Sequence, residues 1–258
     1  MKLNLVPAKT GITWVKLGIR TFFRQPLALA ALFFMYMSVA SVAMLIPYLG
    51  IVIALLFEPA ARLGLMVAAH EASSARFPMP TVLIAAFRAG RQRLNAILIL
   101  GMLHAVACAA VLLIASLFAP EATKGAAAAP ASPESQLGVM LPTLLMYMPV
   151  SMLFWHAPAL VHFHGVSPVK SLFFSLVACL RNWAALLVFG LGWMAFILAV
   201  SVPLSLLAAM APSQQAALPF IAPVLLAIAA MFSTSIYFTF RDSFTVDAPP
   251  AIDQPPGD

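Results

Sequence analysis

The sequence predicts an all-α fold: a polytopic transmembrane helix bundle of six spans, with short cytoplasmic amphipathic helices and a candidate threefold hairpin repeat. Three observations predict it. Of 258 residues, 63% are hydrophobic and 9% are charged, against roughly 25% charged in soluble chains. Six apolar stretches are each long enough to cross a bilayer, which takes about 20 helical residues. The basic residues crowd into alternate connections between those stretches, as orientation in a membrane requires.

Residues 1–25 form a basic, aromatic segment ahead of the membrane domain at 26–242. On a helical wheel Lys9, Thr13, Lys16, Arg20 and Arg24 share one face, and Trp14, Val15, Gly18, Ile19 and Phe22 share the other. That pattern predicts a helix at the cytoplasmic interface, with cations toward headgroups and rings toward acyl chains; a helix packed on protein is the alternative. Span 1 covers 27–46. Its apolar run is longer than the 7–15 residues of a signal peptide core, so it reads as a retained span. Pro47-Tyr48-Leu49-Gly50 predicts a tight turn into span 2 at 49–69.

A polar stretch at 70–80 leads to a second amphipathic segment at 81–95. There Arg88, Arg91, Gln92 and Asn95 oppose Leu83, Phe87, Gly90 and Leu94. Span 3 covers 96–118. The stretch 119–136, APEATKGAAAAPASPESQ, has no apolar periodicity and reads as a disordered periplasmic loop. Span 4 covers 137–162 and carries Pro142, Pro149 and Pro158, where it can kink. A third amphipathic segment covers 167–182, with Lys170 and Arg181. Spans 5 and 6 cover 183–207 and 219–240, joined by a short uncharged link. The Pro/Asp-rich tail at 243–258 reads as a disordered cytoplasmic segment.

Charge sets the orientation. All but two of the fourteen Lys and Arg residues lie before span 1, between spans 2 and 3, between spans 4 and 5, or after span 6. The exceptions are Arg62, inside span 2, and Lys124, in the Ala/Pro loop. The excess of cations on one side predicts a bacterial inner-membrane protein with both termini in the cytoplasm. It predicts the anionic headgroups of the lipid bilayer as partners of Lys16, Arg20, Arg24, Arg88 and Arg91. The net charge of +6 therefore belongs to membrane orientation and gives no nucleic-acid signal.

The order of amphipathic segment, span, short outer connection and span occurs three times. Arg24-Gln25-Pro26, Leu94-Asn95-Ala96 and Arg181-Asn182-Trp183 open spans 1, 3 and 5. Glu58-Pro59-Ala60 and Ala157-Pro158-Ala159 sit at similar places in spans 2 and 4, whereas span 6 lacks the motif. Any six-helix protein with basic inner connections would give part of this pattern, so the sequence leaves true repetition open.

Several motifs carry a resemblance. FFRQPLALAALFFMYM at 22–37, PYLG at 47–50, EPAARLG at 58–64, PALVHFHG at 158–165, LFFS at 172–175, RNW at 181–183 and FRDSF at 240–244 together span most of the chain. The sequence resembles an uncharacterised family of proteobacterial inner-membrane proteins labelled by a locus tag. The resemblance implies an integral inner-membrane protein of unknown function and carries over no catalytic residue. More loosely, the proline-glycine turn followed by a proline in the next span is similar to the membrane domain beside some glycerophosphodiester phosphodiesterases, whose soluble barrel this sequence does not contain.

Glu58 and Arg62 are the candidate intramembrane polar site. A charged group within a span costs ~2.5–3.5 kcal/mol on insertion scales, and spacing of four residues lets the two pair on one helix face. They read first as an ion pair that fixes the packing of span 2, with a site for an ion, proton or polar solute as the other reading. His156, His162, His164 and Arg181 form a candidate polar cluster at the cytoplasmic end; His104 lies in span 3 and His70 at the end of span 2. His162 and His164 are two residues apart and point about 200° apart on a helix, so no metal and no cofactor is expected. Cys108 and Cys179 read as packing residues. Small residues at four-residue spacing (Ala60, Gly64 and Ala68; Gly101, Ala105 and Ala109; Ser201, Ser205 and Ala209) predict close helix contacts. Trp155, Trp183, Tyr36, Tyr48 and Tyr237 are candidate interface anchors.

No Walker loop, dinucleotide fingerprint, nucleophile elbow or pair of catalytic carboxylates is present. The expectation is a protein that is not an enzyme: permease-like, or else a lipid-binding scaffold, with homo-oligomers open to either. A membrane enzyme would need the histidine cluster to converge in one pocket. The orientation is checked by cysteine accessibility. A cysteine at Ala128 is expected to react with an impermeant thiol reagent from the periplasmic side, and one at Gln92 from the cytoplasm. The reverse pattern overturns it.

Overall fold

Prolines, glycines and one asparagine set the boundaries of the helices. A computed structural model of the chain describes residues 2–118, 133–211 and 213–245. The elements in order are β1 (Lys2–Leu3), α1 (Thr10–Arg24), α2 (Pro26–Met44), α3 (Leu49–Ser73), a 3-10 turn (Pro80–Ile84), α4 (Ala85–Arg88), α5 (Arg91–Phe118), α6 (Pro133–Phe154), α7 (Ala157–His164), α8 (Pro168–Arg181), α9 (Trp183–Met210), α10 (Gln214–Ser243) and β2 (Phe244–Thr245). Pro26 and Pro168 stand in the first turns of α2 and α8, where a missing N–H costs nothing. Gly165 ends α7 in the left-handed conformation, its N–H donating to Val161 O at 3.1 Å.

Among the described residues, six helices are long and apolar enough to cross a membrane: Pro26–Met44, Leu49–Ser73, Arg91–Leu117, Met140–His164, Trp183–Met210 and Gln215–Ser243. Their outward faces carry large apolar side chains, among them Leu27, Val39, Leu113 and Val202, all well exposed. A water-soluble surface does not tolerate so continuous an apolar skin. Hydrocarbon does, provided the main chain bonds within its own helices. The chain is thus an all-α polytopic membrane protein.

The contacts run in a cyclic order. The spans pair as the hairpins α2/α3, α5/α6 and α9/α10. Each short amphipathic element packs on the second span of a neighbouring hairpin. The 3-10 turn and α4 lie on α3, α8 lies on α6 and α7, and α1 lies on α10 and α9. The three units seen in the sequence therefore contact one another in a ring that α1 closes.

The two ends of the described residues meet at one end of the bundle. Lys2–Leu3 and Phe244–Thr245 form a two-stranded antiparallel ribbon. Buried Asn182 holds it: its Nδ2–H₂ donates to Asn4 O at 3.0 Å and to Ser243 Oγ at 3.3 Å, and its Oδ1 accepts from Val6 N–H at 3.0 Å. Fully buried Trp14 donates Nε1–H to Asp242 Oδ2 at 2.9 Å. The RNW and FRDSF motifs are thus one contact, and termini on the same face require an even number of crossings.

Several expectations are corrected. The apolar face of α1 does not turn toward acyl chains: Trp14, Val15 and Phe22 are buried in the protein core. The segment 81–95 is not one amphipathic helix, because Gly90 takes φ +91° and separates α4 from α5. Arg88 and Arg91 consequently lie on different helices. Residues 133–136, read as loop, begin α6, and 243–245, read as tail, close α10 and form β2. The remaining loop at 119–132 and tail at 246–258 lie outside the described residues. The stripe Ser201, Ser205 and Ala209 is exposed, and its hydroxyls bond their own helix at Leu198 O and Val202 O. By contrast Gly101 meets the carbonyl of Leu56 and Gly64 meets the backbone at Leu83. Close approach is real for these two.

Gly18 gives the sharpest test of the ring closure. A Cβ there would meet Ser235 Cβ at 2.3 Å and Ser235 Cα at 2.8 Å. Gly18→Leu is expected to lower stability by about 1–3 kcal/mol through overpacking, read as a lower thermal midpoint in detergent. Gly190→Leu, where a Cβ meets nothing within 4 Å, is expected to be near neutral.

Candidate functional site

A proline within a span removes one main-chain donor and leaves the carbonyl four residues earlier without its partner. Pro59 does this to Leu55 O. The helix α3 nevertheless runs unbroken through Pro59, because His104 on α5 takes over the carbonyl, with Nδ1 at 2.9 Å. His104 is buried and packs edge-on against Phe154, ring centroids 4.9 Å apart.

Pro158 has the opposite outcome. The span breaks between α6 and α7 at Trp155 and His156, while α6 passes through Pro142 and Pro149 without interruption. Ser175 on α8 repairs the break. The main-chain N–H of His156 donates to Ser175 Oγ at 2.9 Å, and Ser175 Oγ–H donates to Met152 O at 2.8 Å. In an unbroken helix the N–H of His156 would donate to Met152 O directly. The hydroxyl has been inserted into that rung. Trp155 and His156 then turn to α10, where Trp155 Nε1–H donates to Thr239 Oγ1 at 3.0 Å and His156 Nε2 lies 3.3 Å from the same oxygen.

These two proline sites flank a cleft of about 310 Å³, lined by Phe33, Tyr36, Glu58, Arg62, Trp155 and Ser233, among others. Its walls come from α2, α3, the α6–α7 break and α10. The lining residues lie within the four spans, away from their ends.

Glu58 and Arg62 pair as their spacing predicts. Arg62 Nη2 donates to Glu58 Oε1, and each side chain keeps about a fifth of its surface exposed (20% and 21%). Glu58 Oε2 has no hydrogen-bond partner. His104 Nε2 lies 3.8 Å from it. Tyr36 on α2 and Tyr147 on α6 stand close enough to interact with both charges. Cys108 Sγ lies 3.5 Å from His104 Nε2. The polar site thus draws on four helices. Sequence reasoning located Glu58 and Arg62 and missed His104, Tyr36 and Tyr147 as their neighbours. The signal available for His104 was Pro59, which demands a donor from another helix at Leu55.

The histidine cluster does not form one pocket. His156 is sealed in the interior. His162 lines a separate groove with Glu71, Thr81 and Arg88, its Nδ1 lacking a hydrogen-bond partner. His164 stacks obliquely on Phe240, and Arg181 is exposed at the end of α8. Among the described residues, no three of His, Cys, Asp and Glu gather as a metal site would.

Compared with known proteins, the chain is 37% identical over 262 aligned positions to the probable inner membrane protein BTH_II0599 of Burkholderia thailandensis, with 97% of each chain covered. The chain belongs to that inner-membrane family. No family model matches it, and no solved structure matches it. For this member of the inner-membrane family, six apolar helices and the relative agree that it is an integral, multi-pass protein of the inner membrane.

The energetic role of the ion pair can be isolated. Removing one partner strands a partly buried charge, so Glu58→Ala and Arg62→Ala are each expected to destabilise. The double variant should cost less than the sum by about 0.5–3 kcal/mol, measured by reversible unfolding in mixed micelles. Additive effects would show that the two charges are not coupled.

Proposed function

We propose that this protein is a permease-like carrier for a small polar solute, with Glu58 and Arg62 as the polar site of its intramembrane cleft. One observation carries the reading: the charged pair lines a cleft of about 310 Å³ instead of being sealed inside a solid apolar bundle. A pocket of ~300–1,000 Å³ is the usual size for a small-molecule site. Keeping two ionisable groups at that depth is costly, and a polar solute gives the cost a use. Serine and tyrosine hydroxyls on the same walls supply further donors and acceptors.

The remaining features fit the carrier without chemistry of its own. The reading is non-enzymatic, since the candidate histidines point to different places. Both termini lie in the cytoplasm, on the strength of the cation asymmetry. Lys16, Arg20, Arg24, Arg88 and Arg91, all exposed, contact anionic headgroups there and hold the short helices at the surface.

The test uses the full chain in lipid. A cysteine replacing Ser233, which lines the cleft, is expected to react with a charged thiosulfonate, whereas one replacing Ala230, 1% exposed, is not. Native Cys108 and Cys179 are buried and give the low background. Glu58→Gln, which keeps an oxygen to accept from Arg62, is expected to melt closer to the wild type than Glu58→Ala yet fail to restore the metabolite profile of a deletion strain. An unreactive Ser233→Cys, or full restoration by Glu58→Gln, overturns the carrier reading in favour of a scaffold.

A further inference from the structure

The hydrogen bond from His104 to Leu55 has a chemical consequence at the other side of the ring. Leu55 O is a carbonyl oxygen and can only accept, so His104 Nδ1, at 2.9 Å, must carry a hydrogen. That bond replaces the donor lost at Pro59, and the proton on Nδ1 is therefore needed for the helix itself. Neutral imidazole has one N–H. With Nδ1 committed, Nε2 is left with a lone pair and becomes the nitrogen that can gain or lose a proton. The protein has thus fixed the tautomer through the main chain of another span.

Nε2 faces three groups. Cys108, one turn along α5, puts its sulfur at 3.5 Å and can donate S–H to the lone pair. Glu58 on α3 puts Oε2 at 3.8 Å, and that oxygen is buried without any hydrogen-bond partner. Phe154 on α6 covers the ring edge-on. The charged and titratable groups around the carboxylate are Arg62 on α3, Tyr36 on α2 and Tyr147 on α6. A carboxylate oxygen left unpartnered in a span costs a good deal. A proton on His104 Nε2 would remove that cost, since Nε2–H would have a carboxylate acceptor within a small side-chain adjustment.

We propose that His104 Nε2 and Glu58 Oε2 form an intramembrane proton-binding pair beside the cleft. The pair takes up one proton from water that reaches Glu58 through the cleft, with Arg62 remaining on Oε1. No bond other than N–H forms or breaks. Neutral His104 with the Glu58–Arg62 pair is electrically balanced, and the protonated state carries one positive charge. The pair therefore has two charge states within a low-dielectric site, as a carrier linked to a proton requires. The inference rests on the carrier reading only for its use. The proton site is a property of the geometry and is measured without any solute.

The experiment is ¹⁵N NMR of histidine-labelled protein in lipid nanodiscs, recorded over a series of falling pH values. One histidine is expected to keep Nδ1–H throughout while its Nε2 titrates. That signal should vanish in His104→Asn, whose amide can still donate to Leu55 O but offers no second nitrogen. In Glu58→Gln the midpoint of the same signal should move, with the other four histidines unchanged. Should His104→Asn fail to fold, Glu58→Gln alone decides. The proposal is overturned if His104 carries its proton on Nε2 with Nδ1 bare, if Nε2 takes up no proton at any pH at which the protein stays folded, or if Glu58→Gln leaves that uptake untouched. A wild-type protein that moves no solute yet shows the Nε2 proton uptake counts against the carrier reading alone, and wild-type solute flux without that uptake counts against the proton site alone.

Discussion

Hydrocarbon offers no hydrogen bonds, so each main-chain carbonyl in a span needs a donor from the protein. Proline takes such donors away, and two prolines in the inner spans do so next to the cleft. The structure answers them differently. At Pro59 a histidine from the adjacent span caps the orphaned carbonyl and the helix stays unbroken. At Pro158 the helix parts and a serine hydroxyl is threaded into the broken rung. Continuity on one side keeps Glu58 and Arg62 on a single face. The break on the other turns Trp155 toward α10 to complete the cleft wall. Polar groups at this depth are placed by main-chain bookkeeping before they are available for anything else.

The spans, their number and the side-by-side termini were legible because lipid imposes simple rules on composition, length and charge. Leu27 and Val39 had to face hydrocarbon, and the cations had to gather at one end. What stayed hidden was how amphipathic faces are used. Trp14 and Phe22 suit a lipid interface as well as a protein groove, and Gly18 against Ser235 decided for the groove. A helical wheel drawn through Gly90 aligned Arg88 with Arg91, yet a positive φ at that residue puts them on separate helices.

The candidate site was half legible. Glu58 and Arg62 stood out because an ion pair four residues apart inside an apolar run has few explanations. The histidines misled by their number: three near one helix end suggested convergence, but the break at His156 sends one inward while the turn at Gly165 leaves the others on separate surfaces. His104, which matters more to the geometry, was a lone polar residue in an apolar span. Its partner lies 49 positions away in sequence, and such contacts depend on the register between helices.

The cyclic arrangement sharpens the meaning of the charged pair. The three second spans, α3, α6 with α7, and α10, occupy corresponding places in the ring, and each holds polar groups. In α10 these are Thr234, Ser235 and Thr239, whose hydroxyls return to their own helix carbonyls. In α6 and α7 the polar atoms close a break. Only α3, among the described residues of these spans, pairs an acid and a base away from its ends, since the Arg241–Asp242 pair of α10 lies in its last turn. Packing alone was met twice by uncharged solutions, so it does not require the third to be charged. A carboxylate with one oxygen paired to arginine and the other left open toward an imidazole is costly for a structural element. It is an economical arrangement for a group that must change its protonation, because the open oxygen is the position where the added proton is shared.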